Sequence, residues 1–450
     1  MAKENRPNDT SKSGLTRRSV VTGALAAGAL GVSGRSVFAD PQWKKFAGTS
    51  IEVNLIKSPR GDLLQKYEQE FVDLTGIKVS SEQIPEQQQR QKAVIELTSG
   101  KPSFDVVHLS YHVQKRQFEK AGWLANLSPF MKDAALADPS LSEKDFSAAG
   151  LQYAKNDNGE LLSLPWSVDY WIIYWNKELF EKKGQKYPTT FEELVSVAEA
   201  LTDVKDGTYG FVARGLRNAN VPVWSSFLLG YGGDFLDSKG NLLTESPESI
   251  EGAKLYQRLL TKASPAGIAG FNWYECQAAF LQGKVGMWLD GVGFAPPLED
   301  PTKSRIVGKV GYGVMPKGPK AQASATFGDG IGVPAACTKK EAAFLYCQWA
   351  VSKAMGARLL QTGGGVPFRD SILNDAETRK GVAMPGAWVD SVAASAKISR
   401  LGLPVVIPVT EFRDIIGTAL TATLSGGDPA TELKKATEQF KPILERSEKA

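Results

Sequence analysis

Residues 51–79 read IEVNLIKSPRGDLLQKYEQEFVDLTGIKV, and residues 105–109 read DVVHL. The first segment opens with apolar residues at every second position, which predicts a strand, and continues into a helix that ends at Gly76. Extended sequence resumes at residues 77–79, and a second helix is expected over residues 87–99. DVVHL has the continuous apolar character of a strand buried on both faces. This β-α-β-α-β order predicts an α/β lobe built on a parallel sheet.

A second lobe is expected to begin near residue 150 and to contain a strand at residues 172–175. Three helices after residue 150 are predicted from typical helix starts. These starts are the capping box Thr190-Phe191-Glu192-Glu193, the pair Ser246-Pro247, and the segment Thr338-Lys339-Lys340-Glu341. Residues 363–365 are three glycines that follow a helix, which predicts a turn and not a dinucleotide-binding loop. Two lobes agree with a length of 450 residues, which exceeds what one core usually fills.

The composition is that of an ordinary globular protein, with 42% hydrophobic and 23% charged residues. The formal net charge of +4 comes from 53 Lys and Arg against 49 Asp and Glu, and the excess lies within residues 1–39. The neutral remainder argues against a nucleic-acid-binding protein, which needs clustered basic residues. The two histidines and three cysteines form no CxxC or HExxH motif, so we expect no metal and no cofactor. Cys337 and Cys347 could pair in an oxidising compartment, but packing is the default role for so few cysteines.

Residues 1–39 have the three parts of an export signal. A polar, basic segment ends in Arg17-Arg18, an apolar stretch spans Val20–Val32, and Val37-Phe38-Ala39 matches a cleavage site. Thirteen apolar-stretch residues make a helix of about 20 Å, too short for a hydrocarbon core of about 30 Å. The arginine pair favours a twin-arginine signal, and the alternative is a general secretory signal with a chance pair. We expect cleavage after Ala39 and a periplasmic location.

Recognisable catalytic motifs are absent from the sequence. It contains no GxxxxGK[ST] and no GxSxG, and neither histidine lies in the context of an activated nucleophile. Two carboxylates could in principle form a glycosidase pair, but no spacing singles one pair out. The sequence therefore favours a protein that is not an enzyme.

Several segments resemble the extracellular solute-binding proteins of family 1, the carbohydrate ABC-importer group that includes maltose-binding proteins. The densest match is LPWSVDYWIIYWNKELF at residues 164–180, and PTTFEEL follows at 188–194. Shorter similar segments are TGIKV at 75–79, GWLANL at 122–127, GGDF at 232–235, GKVGMW at 283–288 and GGGVPFR at 363–369. The resemblance covers essentially all of residues 50–445. It implies two α/β lobes joined by crossing strands, with a ligand in the cleft and hinge closure that presents both lobes to a membrane permease.

The resemblance also implies a domain organisation and a function. We expect a signal peptide at residues 1–39, a first lobe at 40–152 plus 322–370, and a second lobe at 153–321 plus 371–450. The expected function is the periplasmic binding component of an ABC importer for a sugar or polyol, acting as a monomer without chemical change to its ligand. The alternatives are a secreted carbohydrate-active enzyme and a chemoreceptor adaptor on the same scaffold.

Ligand-binding side chains are expected on loops just after strands, because ligands of α/β sheets bind beyond the carboxyl ends of strands. Aromatic rings would cover the C–H faces of a sugar, and carboxylates or arginines would fix its hydroxyls. The candidates are Arg60, Tyr111, His112, Trp166, Asp169, Trp224, Asp290, Asp329 and Arg369.

For several of these candidates, a position in the core or on the exposed surface is an alternative to ligand binding. Burial of Asp169 beside Trp and Tyr without a partner would be unfavourable, which favours the cleft for this carboxylate. Trp166 is equally compatible with core packing, and Arg60 with an exposed surface. Tyr111 could belong to a solvated loop, whereas His108, inside the buried strand, is expected to be a core histidine.

Overall fold

The computed structural model of the protein describes residues 41–449 and contains ten strands within that range. They are β1 (Ser50–Ile56), β2 (Lys78–Ile84), β3 (Val106–Ser110), β4 (Leu164–Asn176), β5 (Tyr209–Val212), β6 (Val285–Gly291), β7 (Val310–Val314), β8 (Ser324–Gly332), β9 (Val366–Pro367) and β10 (Ser399–Leu401).

Seventeen α-helices lie within the same described range. The first ten are α1 (Pro59–Thr75), α2 (Glu86–Thr98), α3 (Tyr111–Lys120), α4 (Ser128–Lys132), α5 (Ala148–Ala154), α6 (Lys177–Lys182), α7 (Phe191–Leu201), α8 (Val221–Gly230), α9 (Pro247–Lys262) and α10 (Trp273–Leu281). The others are α11 (Lys340–Ala350), α12 (Lys353–Gln361), α13 (Asp370–Leu373), α14 (Ala376–Lys380), α15 (Gly386–Lys397), α16 (Val409–Leu424) and α17 (Pro429–Lys449).

The first sheet has the strand order β2-β1-β3-β8-β4. β1 is parallel to both β2 and β3, so the carboxyl ends of these three strands meet at one edge. β8 runs antiparallel to β3 and to the first half of β4, and the short strands β10 and β9 pair with β8 and β4. The sheet is therefore mixed, with its parallel part at the strands that lead into α1, α2 and α3.

β4 continues from the first sheet into a second one. Residues 164–170 pair with β8, whereas residues 171–176 lie between β6 and β7 and are antiparallel to both. β5 completes the second sheet as a parallel neighbour of β6. The helices α8, α9, α16 and α17 pack together beside this second sheet. Two sheets flanked by helices give the two-lobed α/β architecture that the sequence predicts.

The elements predicted for residues 51–109 are confirmed. Gly76 ends α1 in the left-handed region, with a φ of 72°, and its amide donates to the carbonyl oxygen of Val72. The hydroxyls of Thr190 and Ser246 cap α7 and α9, each accepting a hydrogen bond of 3.2 Å from a backbone amide of the first turn. These starts follow the sequence because a hydroxyl satisfies an amide that has no partner within the helix.

The prediction that Thr338 begins a helix is wrong by one residue. α11 starts at Lys340 with Lys339 as its N-terminal flanking residue, and no side chain caps it. Thr338 is exposed and lies outside the turn that has the free amides. Instead, the amide of Lys339 donates to the Sγ atom of Cys337 at 3.3 Å.

Two sequence predictions concern the export signal and the residue bounds of the two lobes, which these strands and helices do not define. The export signal at residues 1–39 lies outside the described residues. The residue bounds of the two lobes stay a prediction. Within residues 41–449 we find no helix of the length and apolar character that crossing a membrane requires.

Candidate functional site

A cavity of about 80 Å³ lies where β4 passes from the first sheet into the second. Its walls come from the starts of α1, α2 and α3, from β3, β4 and β8, and from the residues that follow β5 and β6. The middle of α16 contributes a further residue. The cavity therefore draws on both sheets and on segments far apart in the chain.

Arg60 connects two carboxylates at the centre of this cavity. It occupies the first turn of α1, directly after β1, and the Ser58 hydroxyl caps that turn by accepting from the amide of Gly61. Nη1 of Arg60 donates to Asp329 on β8, and Nη2 donates to Asp169 on β4. The side chains of the two aspartates are 13% and 14% exposed, so their remaining lone pairs face the cavity. One arginine thus holds two carboxylates that each keep hydrogen-bond acceptor capacity.

His108 lies beneath this group, on β3. Its Nδ1 accepts a hydrogen bond of 3.2 Å from the amide of Ile56, so the proton of the neutral ring is on Nε2. Nε2 lies 3.5 Å from Oδ2 of Asp329. Burial would raise the pKa of Asp329, but the positive charge of Arg60 holds that pKa well below its usual value. Asp329 is therefore an ionised acceptor.

A second arginine, Arg214, follows β5 and forms a bidentate pair with Asp290. Its Nε and Nη2 atoms donate to the two carboxylate oxygens at 3.0 Å and 2.5 Å. The guanidinium also lies 5.2 Å from the ring of Trp171 and 5.6 Å from the ring of Phe294. The aromatic rings and the carboxylate together hold a charged planar group at the wall of the cavity.

A third arginine, Arg90, lies one helical turn after Glu86 on α2. Its Nη2 contacts Oε1 of Glu86 at 2.5 Å, and its Nε and Nη2 both donate to Oγ of Ser110. Nη2 is also 3.3 Å from Nε2 of His112, whose Nδ1 lies 3.3 Å from the carbonyl oxygen of Gly328. Burial, reinforced by Arg90, lowers the pKa of His112 to about 3, so the ring is neutral and its Nε2 accepts from Arg90.

The fourth arginine, Arg413, comes from the middle of α16. It is 3% exposed, and its Nε donates to the carbonyl oxygen of Asn218 at 3.2 Å. Asn218 has a φ of 75°, and its side-chain amide donates to Asp414, the residue that follows Arg413 on α16. This left-handed residue turns a loop carbonyl toward the guanidinium.

Aromatic rings cover the remaining surface of the cavity. The rings of Trp273 and Phe294 stack with centroids 4.7 Å apart, and the rings of Trp171 and Phe327 lie 5.5 Å apart. Such rings can pack against the C–H groups of a ligand while charged groups bind its polar atoms. Among the described residues, no three His, Cys, Asp or Glu side chains are grouped as ligands of a metal ion would be.

The structure brings four of the nine predicted site residues to the cavity, namely Arg60, His112, Asp169 and Asp329. Asp290 lies one layer behind them. It is fully buried because β6 continues through Gly291, which places this carboxylate inside the sheet and not in the turn after it.

The other four predicted residues do not line the cavity, because each is buried against partners elsewhere. The Tyr111 hydroxyl lies 2.7 Å from Oγ of Ser163, and the ring of Trp166 packs edge-on against His108. The indole N–H of Trp224 donates to the carbonyl oxygen of Ser249.

Arg369 is the fourth of these residues and is 1% exposed. It donates to Asp145 at 2.7 Å and to the carbonyl oxygens of Ser140 and Val351. All the contacts of this arginine are made within the protein, so it has a structural position and does not face the cavity.

Several cavity residues were missed by the sequence analysis. Arg214 lies just after a strand, as ligand-binding residues were expected to do, but that strand, β5, was not predicted. The spacing of Glu86 and Arg90 at the start of α2 could have indicated a charged pair. Arg413 has no local signal, because it lies inside a long helix.

The chain is similar to known proteins in sequence and in fold. Residues 38–357 match the family model described as bacterial extracellular solute-binding protein. The chain is 28% identical over 374 residues to a probable amino-acid ABC transporter periplasmic-binding protein of Sinorhizobium fredii, covering 81% of this chain and 84% of that protein. It is 23% identical over 418 residues to the erythritol/L-threitol-binding protein of Mycolicibacterium smegmatis, covering 87% and 85%.

A solved structure is similar over most of the chain. It is the ABC transporter solute-binding protein of Agrobacterium radiobacter in complex with ribitol, which superposes with a TM-score of 0.80 at 27% identity. The match covers 88% of this chain and 99% of that one.

Proposed function

The chain belongs to the family of bacterial extracellular solute-binding proteins, and we propose that it binds a sugar or polyol in the cavity at β4 and delivers it to an ABC permease. Relatives that bind erythritol, L-threitol or ribitol support this class of ligand. The observation that carries the proposal is Arg60 holding Asp169 and Asp329 together in a cavity lined by aromatic rings. Ionised carboxylates with spare lone pairs accept hydrogen bonds from hydroxyls, and the rings cover C–H faces.

Arg60, His112, Asp169 and Asp329 are the ligand-binding residues of this proposal. A ligand between them would also touch Phe294 and the other residues that follow the strands of the second sheet. It can make both sets of contacts only when the two lobes are closed. Its differential affinity for the closed form therefore drives closure by population shift.

The remaining parts of the proposal concern partners and location. The protein is exported by the twin-arginine route with cleavage after Ala39, works as a periplasmic monomer, and presents its two closed lobes to the permease. The lobes are residues 40–152 plus 322–370 and residues 153–321 plus 371–450. The ligand leaves chemically unchanged, since the three carboxylates of the cavity wall are each paired with an arginine and none is placed as an activated nucleophile.

The test is a thermal-shift panel on residues 40–450, refolded to remove any carried-over ligand, with sugars, polyols, sugar acids, amino acids and polyamines. Residues 40–450 form one compact unit, so this segment is suitable for the test. A ligand at 100 times its dissociation constant should stabilise the protein by about 2.7 kcal/mol, which raises the melting temperature visibly. Stabilisation by a sugar or polyol that is recovered unchanged supports the proposal. Consumption of the compound, or no response to any sugar, sugar acid or polyol, overturns it.

A further inference from the structure

Arg413 is the cavity arginine without a carboxylate partner. The other three each contact one: Arg60 contacts Asp169 and Asp329, Arg214 contacts Asp290, and Arg90 contacts Glu86. Among the described residues, Arg413 makes its one hydrogen bond from Nε to a neutral carbonyl oxygen, so its two terminal nitrogens have no hydrogen-bond partner there, and the residue lines the cavity. A buried guanidinium in this state is unfavourable until an anion pairs with it.

The surroundings of Arg413 add to this excess of positive charge. The charged side chains of the cavity wall are five cations and three carboxylates, namely Lys57, Arg60, Arg90, Arg214, Arg413, Glu86, Asp169 and Asp329. Asp290, directly behind the wall, pairs with Arg214, which leaves an excess of one positive charge. Burial and then the charge of Arg90 lower the pKa of Arg413 from its usual value. Glu86 is the carboxylate of the wall that acts on Arg413, and it is already bound to Arg90.

The two aspartates of the cavity wall require a different kind of partner from Arg413. Asp169 and Asp329 are already stabilised by Arg60, and Asp169 also accepts from the amide of Gly293 at 3.1 Å. These oxygens can accept further hydrogen bonds from neutral hydroxyls without any additional positive charge. A ligand that satisfies both Arg413 and the two aspartates carries one anionic group and several hydroxyls.

We propose that the ligand is a sugar acid, whose carboxylate pairs with Arg413 and whose hydroxyls donate to Asp169 and Asp329. This inference rests on the proposed function and narrows its class of ligand from sugars and polyols in general to polyhydroxy carboxylates. A planar guanidinium matches a carboxylate with two parallel hydrogen bonds, which a hydroxyl cannot reproduce.

The experiment compares matched probes by calorimetric titration of residues 40–450. The pairs are ribonate with ribitol, gluconate with glucitol, and galacturonate with galactose, and glutamate serves as an anion without hydroxyls. We expect at least one acid to bind about 10-fold or more tightly than its neutral partner, the minimum for one added charged hydrogen bond. Arg413→Gln should abolish that preference, and Arg413→Lys should retain part of it.

The control is Arg217→Gln, because Arg217 is exposed on the adjacent loop and does not line the cavity. It should leave the preference for the acid unchanged. Tighter binding of the neutral partners, or an acid preference that survives Arg413→Gln, overturns the inference but leaves the proposed function intact. Failure of every sugar, polyol and sugar acid, or tighter binding of glutamate than of all of them, overturns both. The wild-type comparison between acid and neutral probes needs no variant, so it decides the question even if Arg413→Gln fails to fold.

Discussion

At the scale of single residues, His112 links the cavity to pH. Its pKa in the folded protein is lowered to about 3 by burial and Arg90, from an ordinary value of 6.5. As the pH falls below 6.5, the unfolded chain therefore takes up a proton that the folded protein does not. The stabilising contribution of the neutral ring is fully present above about pH 6.5 and is lost progressively toward about pH 3.

We expect this residue to lower the free energy of unfolding by up to about 1.4 kcal/mol for each pH unit below 6.5. The window from pH 6.5 to 4.5 is the informative one, because the lowered pKa of Glu86 affects stability only below its ordinary value of 4.5. Urea unfolding of the ligand-free protein at several pH values should show a steeper decline than that of the variant His112→Gln. Equal slopes in this window would contradict the assignment of a neutral, buried ring.

Trp166 and Asp169 are three residues apart on β4 but should respond to substitution in different ways. Trp166 is 3% exposed and packs on His108, so Trp166→Ala should lower the free energy of unfolding by about 3–5 kcal/mol. Asp169→Asn should lower stability by less, because Asp329 still pairs with Arg60, and it should weaken the affinity for the ligand about 10-fold or more. Urea unfolding and ligand titration of both variants check this. Weak binding by a fully stable Trp166→Ala would show that the indole belongs to the site.

At the scale of elements, the helix starts provide a matched pair of threonines. The Thr190 hydroxyl accepts from the amide of Glu193 and caps α7, whereas the exposed Thr338 lies one residue before the start of α11. Thr190→Ala should therefore lower the free energy of unfolding by about 1 kcal/mol. Thr338→Ala should change it by less than about 0.5 kcal/mol. Chemical denaturation of the two variants is the measurement, and an equal loss from both would restore Thr338 as a cap.

The elements also show how far the sequence could predict the site. Arg60 and His112 line the cavity. The sequence could predict this position because each follows a strand whose apolar pattern is visible locally, and the carboxyl ends of these strands meet at one edge of the sheet. The sequence could not tell which face of β4 carries Trp166, because that strand is buried along most of its length. The position of Arg369 away from the cavity could not be predicted, because its partner Asp145 is remote in the chain and no local pattern indicates that pair.

At the scale of the whole molecule, burial protects the three cysteines. Cys276 and Cys347 are fully buried, Cys337 is 5% exposed, and all three are free thiols. Burial raises the pKa of each thiol, that of Cys337 to about 11. A thiolate is the reactive form, so the folded protein should react slowly with a thiol reagent near pH 8.

We therefore expect a colourimetric thiol titration without reductant to detect three thiols per chain after denaturation and few before it. Bound ligand should slow the native reaction further, because it makes unfolding rarer. A single thiol after denaturation would show that Cys337 and Cys347 had paired.

The cavity wall also has a consequence for the order in which the protein is made. Arg60 and Arg413 face the same cavity but are separated by 353 positions in the chain. Synthesis proceeds from the N-terminus, so the ribosome must add α16 before the last arginine of the wall exists. The complete set of charged groups in the wall therefore exists only after α16 has been synthesised. A chain that stops short of α16 would lack the group that we expect to hold the anion.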